Sequence, residues 1–299
     1  MKHTLKPLDQ QVMVITGPSS GIGLATALMA AAQGAKLVLA SRSERVLEEL
    51  CAQILQAGHE AIRVVADVGR RVDMDRVAEE AVRRFGRIDT WVNNAGVSIY
   101  GRLEEVGEQD SRRLFDTNFW GVVNGSLAAL PHLRRSRGAL INVGSEVSDA
   151  VVPLQGMYSA SKHAVKGFTD ALRVELMSDE APVAVTLIQP TAVNTPYPEH
   201  ARNYMDKEPK LPSPQIDPKQ VAEAILEAAC KPERDVKVGA MSRLNTVAFK
   251  LTPKLADWLA TKQATRQNYD APAMNPLGTL YQPGETGRIH GQPPEARAQ

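Results

Sequence analysis

The stretch VMVITGPSSGIG, residues 12–23, decides the fold, because it joins an apolar run to a turn that contains three glycines. The run Val12–Thr16 predicts a buried strand, and the apolar pattern of Leu24–Gln33 predicts a helix directly after the turn. Glycines at this point permit a tight turn and let the backbone approach a diphosphate, which a helix N-terminus attracts. Taken alone, a T-G-x-x-x-G-x-G turn is also compatible with a plain connection between strand and helix.

The alternation of apolar runs and helical patterns continues along the chain. Helices are predicted between the strands, including a long one near Glu108–Leu130 and one that carries Tyr158. Continuous apolar strands that alternate with helices predict an α/β fold, a doubly wound parallel sheet of about seven strands with helices on both faces. Such sheets bind ligands beyond the carboxyl ends of their strands. Further strands are predicted at residues 36–40, 61–66, 88–92, 139–143, 183–188 and 236–238.

Composition excludes several classes of protein. The 299 residues carry a net charge of +1, which argues against a general affinity for nucleic acid or acidic membranes. Cys51 and Cys230 lie far apart and have no metal-ligand spacing, so no metal site is predicted. The first ten residues lack the apolar core of a signal peptide, and no window approaches the ~20 apolar residues of a membrane span. These features predict a cytoplasmic protein.

The second predicted strand ends at the sequence Ser41-Arg42-Ser43. A dinucleotide with a free ribose 2′-hydroxyl usually meets Asp or Glu at this place. A guanidinium with two flanking hydroxyls suits a 2′-phosphate instead. The sequence therefore favours NADP(H) over NAD(H), the alternative being an arginine that is solvated on a loop.

Two more strand ends carry polar side chains. Asp67, with Val68 beside it, follows the third strand, and its carboxylate is placed either to accept from an adenine amino group or to cap a helix. Asn93–Gly96, the sequence NNAG, follows the fourth strand. Its amides and glycine are suited to hold the strand end and to line a cofactor.

A serine, a tyrosine and a lysine follow in order after the fifth strand. Ser145 precedes Tyr158 by thirteen residues, Lys162 lies one helical turn further on, and Asn118 lies upstream on the long helix. Together with the glycine turn and NNAG, this spacing resembles the short-chain dehydrogenase/reductase family in its single-domain Rossmann form. The resemblance covers residues 8–240.

The resemblance implies a role for each matched residue. Tyr158 would be the general acid that protonates a carbonyl oxygen as hydride arrives, and Lys162 would lower the pKa of Tyr158 and hold the nicotinamide ribose. Ser145 would donate a hydrogen bond to the substrate oxygen, and Asn118 would organise a water that leads from Lys162 to solvent. The cofactor-binding residues implied by the matched motifs are Gly17, Ser19, Ser20, Gly21, Ile22, Gly23, Ser41, Arg42, Ser43, Asp67, Val68, Asn94, Ala95, Gly96, Tyr158, Lys162, Pro190, Val193 and Thr195.

The sequence PTAVNT, residues 190–195, departs from the family pattern at one position. Thr191 stands where glycine is usual, and its side chain would narrow the pocket near the nicotinamide. The predicted substrate pocket comprises Ser145, Tyr158, Tyr100, Thr191 and Tyr197, although ordinary packing is an equal alternative for the last tyrosine and for Tyr100.

We predict three segments. Residues 8–242 form the catalytic Rossmann domain with a loop-like lid near 195–215, 243–268 form a helical extension, and 269–299 form a Pro/Gly-rich tail that is either disordered or laid over a neighbour. The extension is expected to pack on the substrate pocket or a partner subunit, with contact to a membrane surface as the less favoured alternative. The resemblance implies a homo-oligomer, a dimer or a tetramer.

The expected function is therefore an NADP(H)-dependent oxidoreductase that interconverts a small-molecule carbonyl and an alcohol. An epimerase or dehydratase on the same frame is a weaker alternative, since such enzymes usually belong to a longer branch of the family. A non-catalytic dinucleotide sensor or scaffold is the other alternative, against which the full Asn118, Ser145, Tyr158 and Lys162 set argues.

Overall fold

A computed structural model describes residues 4–298 of the chain. Its strands begin and end close to the predicted positions in the first 190 residues, where apolar runs determine them. In chain order the strands are β1 (Val12–Thr16), β2 (Lys36–Ser41), β3 (Ala61–Val65), β4 (Thr90–Asn93), β5 (Ile99–Tyr100), β6 (Ala139–Val143), β7 (Ala184–Pro190), β8 (Arg202–Asn203), β9 (Lys207–Pro209), β10 (Asp235–Val238) and β11 (Asn268–Pro272).

The α-helices connect these strands and extend the chain beyond β10. Short 3₁₀ turns at residues 8–10, 146–148 and 264–266 add to them. In chain order the helices are α1 (Gly21–Ala32), α2 (Glu44–Gln56), α3 (Arg71–Phe85), α4 (Glu108–Phe115), α5 (Gly121–Ser136), α6 (Gly156–Ser178), α7 (Tyr197–His200), α8 (Pro218–Ala228), α9 (Ala240–Leu251), α10 (Pro253–Thr261) and α11 (Pro294–Arg297).

The predicted doubly wound sheet is confirmed. Seven strands pair in the order β3-β2-β1-β4-β6-β7-β10, and every neighbouring pair is parallel. The order reverses between β1 and β4, with Val14 opposite Val38 on one side and Trp91 on the other. A crevice opens at the carboxyl ends of strands where the order reverses, which places the ligand site above β1 and β4.

The sheet is covered on both faces, and every position of its central strands β1, β4 and β6 is buried. Met13 and Ile15 pack with helices α1, α2 and α8, while Val14 packs with α3, α5 and α6 on the opposite face. Successive side chains of a strand point to opposite faces, so one apolar run supplies both layers of the core.

The long helix extends further than predicted. It continues past Pro131 to Ser136 and ends where Arg137 adopts a left-handed conformation with φ of 58°. A single proline removes only one backbone donor, and flanking turns keep the helix intact here. Residues 116–120, between α4 and α5, form a π-helical turn, and Asn118 lies in it.

The segment 195–214 contains more regular structure than the predicted loop. It includes α7, and its two short strands pair with partners that are distant in sequence: β8 with β5 and β9 with β11. The expected extension is helical through α9 and α10. Local sequence did not predict these strands because their hydrogen-bond partners lie about 60 to 100 residues away.

The tail after β11 is laid over the chain's own Rossmann core. Thr279 N donates to His200 O at 2.8 Å, and Gly21 N donates to Arg288 O at 2.9 Å. Among residues 4–298, none of the helices combines the length and apolar content needed to cross a membrane, and no three His, Cys, Asp or Glu side chains are grouped to hold a metal ion.

Candidate active site

The turn between β1 and α1 presses its backbone against the loop that follows β4. Gly17 has a φ of +68°, and a Cβ atom there would lie 2.7 Å from Ala95 Cα. A Cβ atom at Gly23 would lie 2.2 Å from Gly17 O, so no side chain fits at either position. The first N–H groups of a helix lack intrahelical acceptors, so this turn presents donors and a partial positive charge at the carboxyl edge of the sheet.

Asn94 ties this turn to the end of β4. Asn94 Nδ2 donates to Thr16 O at 3.0 Å and to Gly17 O at 3.1 Å. In return, Thr16 Oγ1 accepts from Asn94 N at 3.0 Å and from Ala95 N at 3.2 Å. The NNAG sequence therefore fixes the shape of the glycine turn while its backbone forms one wall of the cleft beside it.

A cleft of about 960 Å³ lies over the carboxyl ends of β1, β2 and β3. Gly21, the middle glycine of the turn, does not line the cleft, and a Cβ atom added to it would be 3.1 Å from Thr195. Most of the predicted cofactor-binding residues meet in the lining of this cleft: Gly17, Ser19, Ser20, Ile22, Gly23, Ser41, Arg42, Ser43, Asp67, Val68, Asn94, Ala95 and Gly96.

Arg42 lines the cleft but its guanidinium has partners in the C-terminal tail. Arg42 Nη2 donates to Thr279 O at 2.6 Å, and Arg42 Nη1 donates to Leu280 O at 3.1 Å. Burial, together with the nearby guanidinium of Arg113, lowers the pKa of Arg42. The predicted solvated alternative is wrong, because these contacts hold the side chain against the protein.

Asp67 also has partners within the chain. Its Oδ2 accepts from Arg113 Nη2 at 2.5 Å, and its Oδ1 accepts from Gly69 N at 3.0 Å. Burial alone would raise the pKa of Asp67, but these hydrogen bonds outweigh it and leave that pKa below its ordinary value. Asp67 is thus an ionised acceptor at the cleft wall, and it does not cap α3, whose N-cap is Arg70.

Ser145, Tyr158 and Lys162 meet at a second cavity of about 830 Å³. This cavity adjoins the cleft, since Ile22, Asn94, Gly96 and Tyr197 line both. Pro190, Val193 and Thr191, which follow β7, form another part of its wall. Ser145, Tyr158, Lys162 and most of the predicted cofactor-binding residues therefore lie in one connected space, whereas Asn118, Gly21 and Thr195 do not line it.

Tyr158 and Lys162 lie one turn apart on α6, as their spacing predicts. Lys162 Nζ is 5.7 Å from the centre of the Tyr158 ring and donates to Val143 O at 2.9 Å. Burial raises the pKa of Tyr158 to about 12, although hydrogen bonding with Ser145 and Tyr197 opposes the rise. Burial also lowers the pKa of Lys162 to about 8. The expected lowering of the Tyr158 pKa by Lys162 is not found in this arrangement.

Asn118 is fully buried in the π-helical turn beneath the catalytic side chains. Its Oδ1 accepts from Val97 N at 2.8 Å, and its Nδ2 lies 3.0 Å from Val97 O and 3.1 Å from Ser161 Oγ. These bonds connect α6, next to Lys162, with the loop after β4. Bulges of this kind re-aim side chains in a helix and occur often at functional sites.

Glu146 is a buried carboxylic acid at the wall of the second cavity. Glu146 Oε2 accepts from Thr191 Oγ1 at 3.0 Å and from Asn245 Nδ2 on α9 at 3.0 Å. Burial raises the pKa of Glu146, while these two hydrogen bonds oppose the rise. Thr191, the departure from the family pattern, therefore acts as a hydrogen-bond donor to Glu146, a residue that belongs to none of the matched motifs.

The two tyrosines predicted for the substrate pocket have different positions. Tyr197 lines the cavity, its ring centre is 5.4 Å from that of Tyr158, and its hydroxyl donates to Gln155 Oε1 at 2.9 Å. Tyr100 is fully buried, does not line the cavity, and its hydroxyl has no hydrogen-bond partner among the described residues. Ordinary packing is therefore the better interpretation for Tyr100.

Sequence reasoning missed Arg113 and Glu285, which both reach the cleft region from distant parts of the chain. Arg113 is an unremarkable basic residue in a charged helix, and nothing in its local pattern marks it. Glu285 lies in the Pro/Gly-rich tail, where composition predicts no defined position. Glu146 directly follows Ser145 in the sequence, but this adjacency does not predict which way its side chain points.

The family model described as short chain dehydrogenase matches residues 11–205, more than half of the chain. The uncharacterized oxidoreductase YxnA of Bacillus subtilis (strain 168) is 47% identical over 288 residues, covering 95% of this chain and 81% of that protein. The 11-beta-hydroxysteroid dehydrogenase A of Sesamum indicum is 35% identical over 261 residues, covering 83% of this chain and 74% of that protein.

Two solved structures resemble the whole sheet and its helices. One is a short-chain dehydrogenase/reductase from Burkholderia phymatum in complex with NAD, with a TM-score of 0.74, 28% identity, and coverage of 83% of this chain and 96% of that chain. The other is an alcohol dehydrogenase from the archaeon Thermococcus sibiricus complexed with 5-hydroxy-NADP, with a TM-score of 0.67, 28% identity, and coverage of 76% and 94%.

Proposed function

Because this chain belongs to the short-chain dehydrogenase/reductase family, we propose that it interconverts a carbonyl and an alcohol with a nicotinamide dinucleotide, and that it prefers NADP(H) to NAD(H). One observation carries the proposal: Ser145, Tyr158 and Lys162 line a cavity that is continuous with the cleft beside the glycine turn. A reacting carbon in that cavity has a proton donor and a dinucleotide site within one connected space.

The residues of the cleft fit a dinucleotide. Side chains are excluded at Gly17 and Gly23, so the backbone is free to approach a diphosphate next to the N-terminus of α1. Asp67 presents a carboxylate at the wall for the adenine end. Pro190, Val193 and Lys162 border the adjoining cavity and would surround the nicotinamide end.

Arg42 with its flanking hydroxyls supports the preference for NADP(H). The guanidinium carries five donors in a fixed geometry that matches phosphate oxygens, and Ser41 and Ser43 lie beside it at the end of β2. The β2–α2 connection has no carboxylate at the position that usually accepts a hydrogen bond from a free ribose 2′-hydroxyl. One similar structure carries an NADP derivative and the other NAD, so the family alone does not decide the preference.

Tyr158 acts as the proton donor in the reductive direction. A dinucleotide held by the cleft residues would supply hydride to the carbonyl carbon, and the Tyr158 hydroxyl would give its proton to the carbonyl oxygen. With a pKa of about 12 the phenol is protonated at neutral pH, which is the form that this step needs. Ser145 Oγ is placed beside Tyr158 to donate a hydrogen bond to the same oxygen, where negative charge develops.

Lys162 and Asn118 support this proton transfer. Lys162, with a pKa of about 8, carries its charge at neutral pH beneath the tyrosine and stabilises the phenolate that remains after transfer. Asn118 holds the backbone of Val97 and the hydroxyl of Ser161, and so fixes the position of α6 relative to the loop after β4. We propose that it also positions a water for proton return to Lys162.

The second cavity favours a substrate with an apolar body. Its wall includes Val147, Val152, Leu211 and Pro212, and Glu146 is the acidic group in it. The 35%-identical hydroxysteroid dehydrogenase of Sesamum indicum makes an oxosteroid a reasonable first substrate class, together with cyclic and aromatic ketones. The cytoplasmic location and the dimeric or tetrameric state stay predictions.

Substitution Tyr158→Phe tests the proposal. We expect kcat for NADPH-dependent reduction of a carbonyl panel (cyclohexanone, benzaldehyde and an 11-oxosteroid) to fall by roughly 10²- to 10⁴-fold, since one proton donor is removed. The Kd for NADPH, measured by calorimetry, should change less than about twofold because the substitution removes one oxygen atom.

Tyr100→Phe is the matched control. It makes the same chemical change in a neighbouring buried ring whose hydroxyl has no hydrogen-bond partner among residues 4–298, so activity should be retained. Full turnover by Tyr158→Phe would refute the assignment of the proton donor. Binding of NADPH by the native protein without turnover on any carbonyl would favour a dinucleotide sensor instead.

A further inference from the structure

Residues 279–288, which we call the strap, cross the cleft from the His200 side, pass the start of α2 and end at the start of α1. The strap begins where Thr279 N donates to His200 O at 2.8 Å and ends where Gly21 N donates to Arg288 O at 2.9 Å. Between these anchors, Thr279, Pro283 and Gly284 form part of the cleft lining. The strap is thus a wall of the proposed dinucleotide site, contributed from the far end of the chain.

The strap accepts hydrogen bonds from the Arg42 guanidinium, which would otherwise be free to bind a 2′-phosphate. Arg42 directs both terminal nitrogens at strap carbonyls, with distances of 2.6 Å to Thr279 O and 3.1 Å to Leu280 O. Further carbonyls of Tyr281 and Gln282 lie 3.4 Å from the same guanidinium. A phosphate would have to compete with these carbonyls for the guanidinium of Arg42.

The strap also places a carboxylate next to this subsite. Ser43 Oγ donates to Glu285 Oε1 at 2.8 Å, and Arg45 Nε lies 3.0 Å from Glu285 Oε2. The β2–α2 connection has no acidic residue of its own, and Glu285 supplies one from the tail. An acidic group next to the adenosine ribose accepts from a free 2′-hydroxyl and repels a 2′-phosphate.

We propose that Glu285 is a specificity-determining residue for the cofactor, which opposes the 2′-phosphate at the Arg42–Ser43 subsite and so narrows the preference for NADP(H) over NAD(H). The inference rests on the proposed dinucleotide function. Arg42 attracts the 2′-phosphate and Glu285 repels it. The measured preference for NADP(H) is therefore the difference between two interaction energies that come from residues at opposite ends of the chain.

Glu285 is not required to hold the fold together. Its side chain and that of Arg45 are 42% and 56% exposed, and exposed ion pairs contribute little to stability. The strap keeps its other anchors, at His200 and Gly21, when the carboxylate is removed. Glu285→Gln, which preserves size and shape, should therefore fold and melt like the native protein.

The size of the effect follows from the charges. The repulsion between a phosphate dianion and a neighbouring carboxylate in water corresponds to about a five- to tenfold change in affinity after salt screening. We expect Glu285→Gln to bind NADPH about five- to tenfold more tightly in 50 mM NaCl and to leave NADH binding within about twofold. The gain should shrink in 300 mM NaCl, because the Debye length shortens.

The test is a calorimetric titration of the native protein, Glu285→Gln and Glu295→Gln with NADPH and with NADH. Glu295 is the matched control, an exposed glutamate of the same tail in α11, and its variant should bind both dinucleotides like the native protein. An unchanged NADPH-to-NADH ratio in Glu285→Gln, or an equal gain in Glu295→Gln, overturns the inference while the proposed function stands. Failure of all three proteins to bind either dinucleotide overturns both.

Discussion

Lys162 carries a charge in a buried position, and replacing it with methionine should stabilise the protein while abolishing its function. The side chain is 4% exposed and donates one hydrogen bond, to Val143 O at 2.9 Å. Within residues 4–298 no carboxylate forms an ion pair with it, and burial is the cause that lowers its pKa from 10.5 to about 8. A charge that is desolvated without a countercharge costs stability.

The magnitude follows from the difference between the folded and unfolded pKa values. A shift from 10.5 to about 8 corresponds to about 3 kcal/mol of destabilisation of the protonated folded state at pH 7. Lys162→Met removes that term but loses a hydrogen bond worth about 1 kcal/mol and leaves Val143 O without its donor. We expect a net stabilisation of about 1–2 kcal/mol at pH 7, with kcat reduced at least about 100-fold.

The sign of the pH dependence separates this explanation from improved packing. The unfolded chain keeps the lysine proton up to a pH near 10.4, whereas the folded chain releases it near pH 8. The unfolded state therefore binds more protons in this window, and the stability of the native protein rises by about 2 kcal/mol between pH 7 and pH 9.5 on account of Lys162. The advantage of Lys162→Met should shrink by the same amount.

Urea denaturation at pH 7 and pH 9.5 measures both quantities, with Lys166→Met as the matched control. Lys166 lies one turn further along α6, but its Nζ is 2.6 Å from Asp149 Oδ1, so its removal should destabilise the protein by about 1–2 kcal/mol. If Lys162→Met is no more stable than the native protein at pH 7, or if its advantage is the same at both pH values, the reasoning about the buried charge is wrong.

Two further substitutions test the groups around the second cavity. Asp149 lies between Lys166 and Lys237 at 2.6 Å and 2.8 Å, and their hydrogen bonds outweigh burial and hold its pKa far below the usual value. Asp149→Asn should lower the free energy of unfolding by about 2–3 kcal/mol at pH 7, and in urea titrations this difference should begin to shrink near pH 4, where the unfolded carboxyl takes up its proton, and keep shrinking as the pH falls towards the much lower folded pKa. Because burial raises the pKa of Glu146, its ionisation costs stability as the pH rises above about 4.3, so Glu146→Gln should be more stable than the native protein at pH 7 and lose that advantage towards pH 4. Steady-state kinetics of Glu146→Gln should show KM for the carbonyl changing more than kcat, and the reverse pattern would contradict its placement in the substrate wall.

The sequence predicted the parts of the site whose geometry is local. Tyr158 and Lys162 are brought together by the pitch of a single helix, and the glycine turn is determined by its two flanking elements. The cleft follows from the reversal of strand order, which apolar runs and right-handed crossovers dictate. None of these features requires knowledge of contacts between distant segments.

The features that sequence did not predict depend on long-range contacts. Glu146 meets Asn245 across 99 positions, and Arg42 meets Thr279 across 237. No periodicity connects such pairs, since their approach is set by how the extension and the tail pack on a finished core. Burial also raises the pKa of Tyr158 to about 12, and the extent of that burial is a property of the packed structure that local sequence does not predict.

We therefore expect catalysis and selectivity to depend on different parts of this chain. Ser145, Tyr158 and Lys162 lie on or directly after elements of the Rossmann core, so we expect substitutions in the segments after residue 240 to leave their positions largely unchanged. Those later segments reach both ends of the connected space, where Asn245 is hydrogen-bonded to the cavity residue Glu146 and Glu285 to the cleft residue Ser43. Because neither contact supports the sheet, substitutions there can alter which substrate or cofactor is bound without unfolding the core.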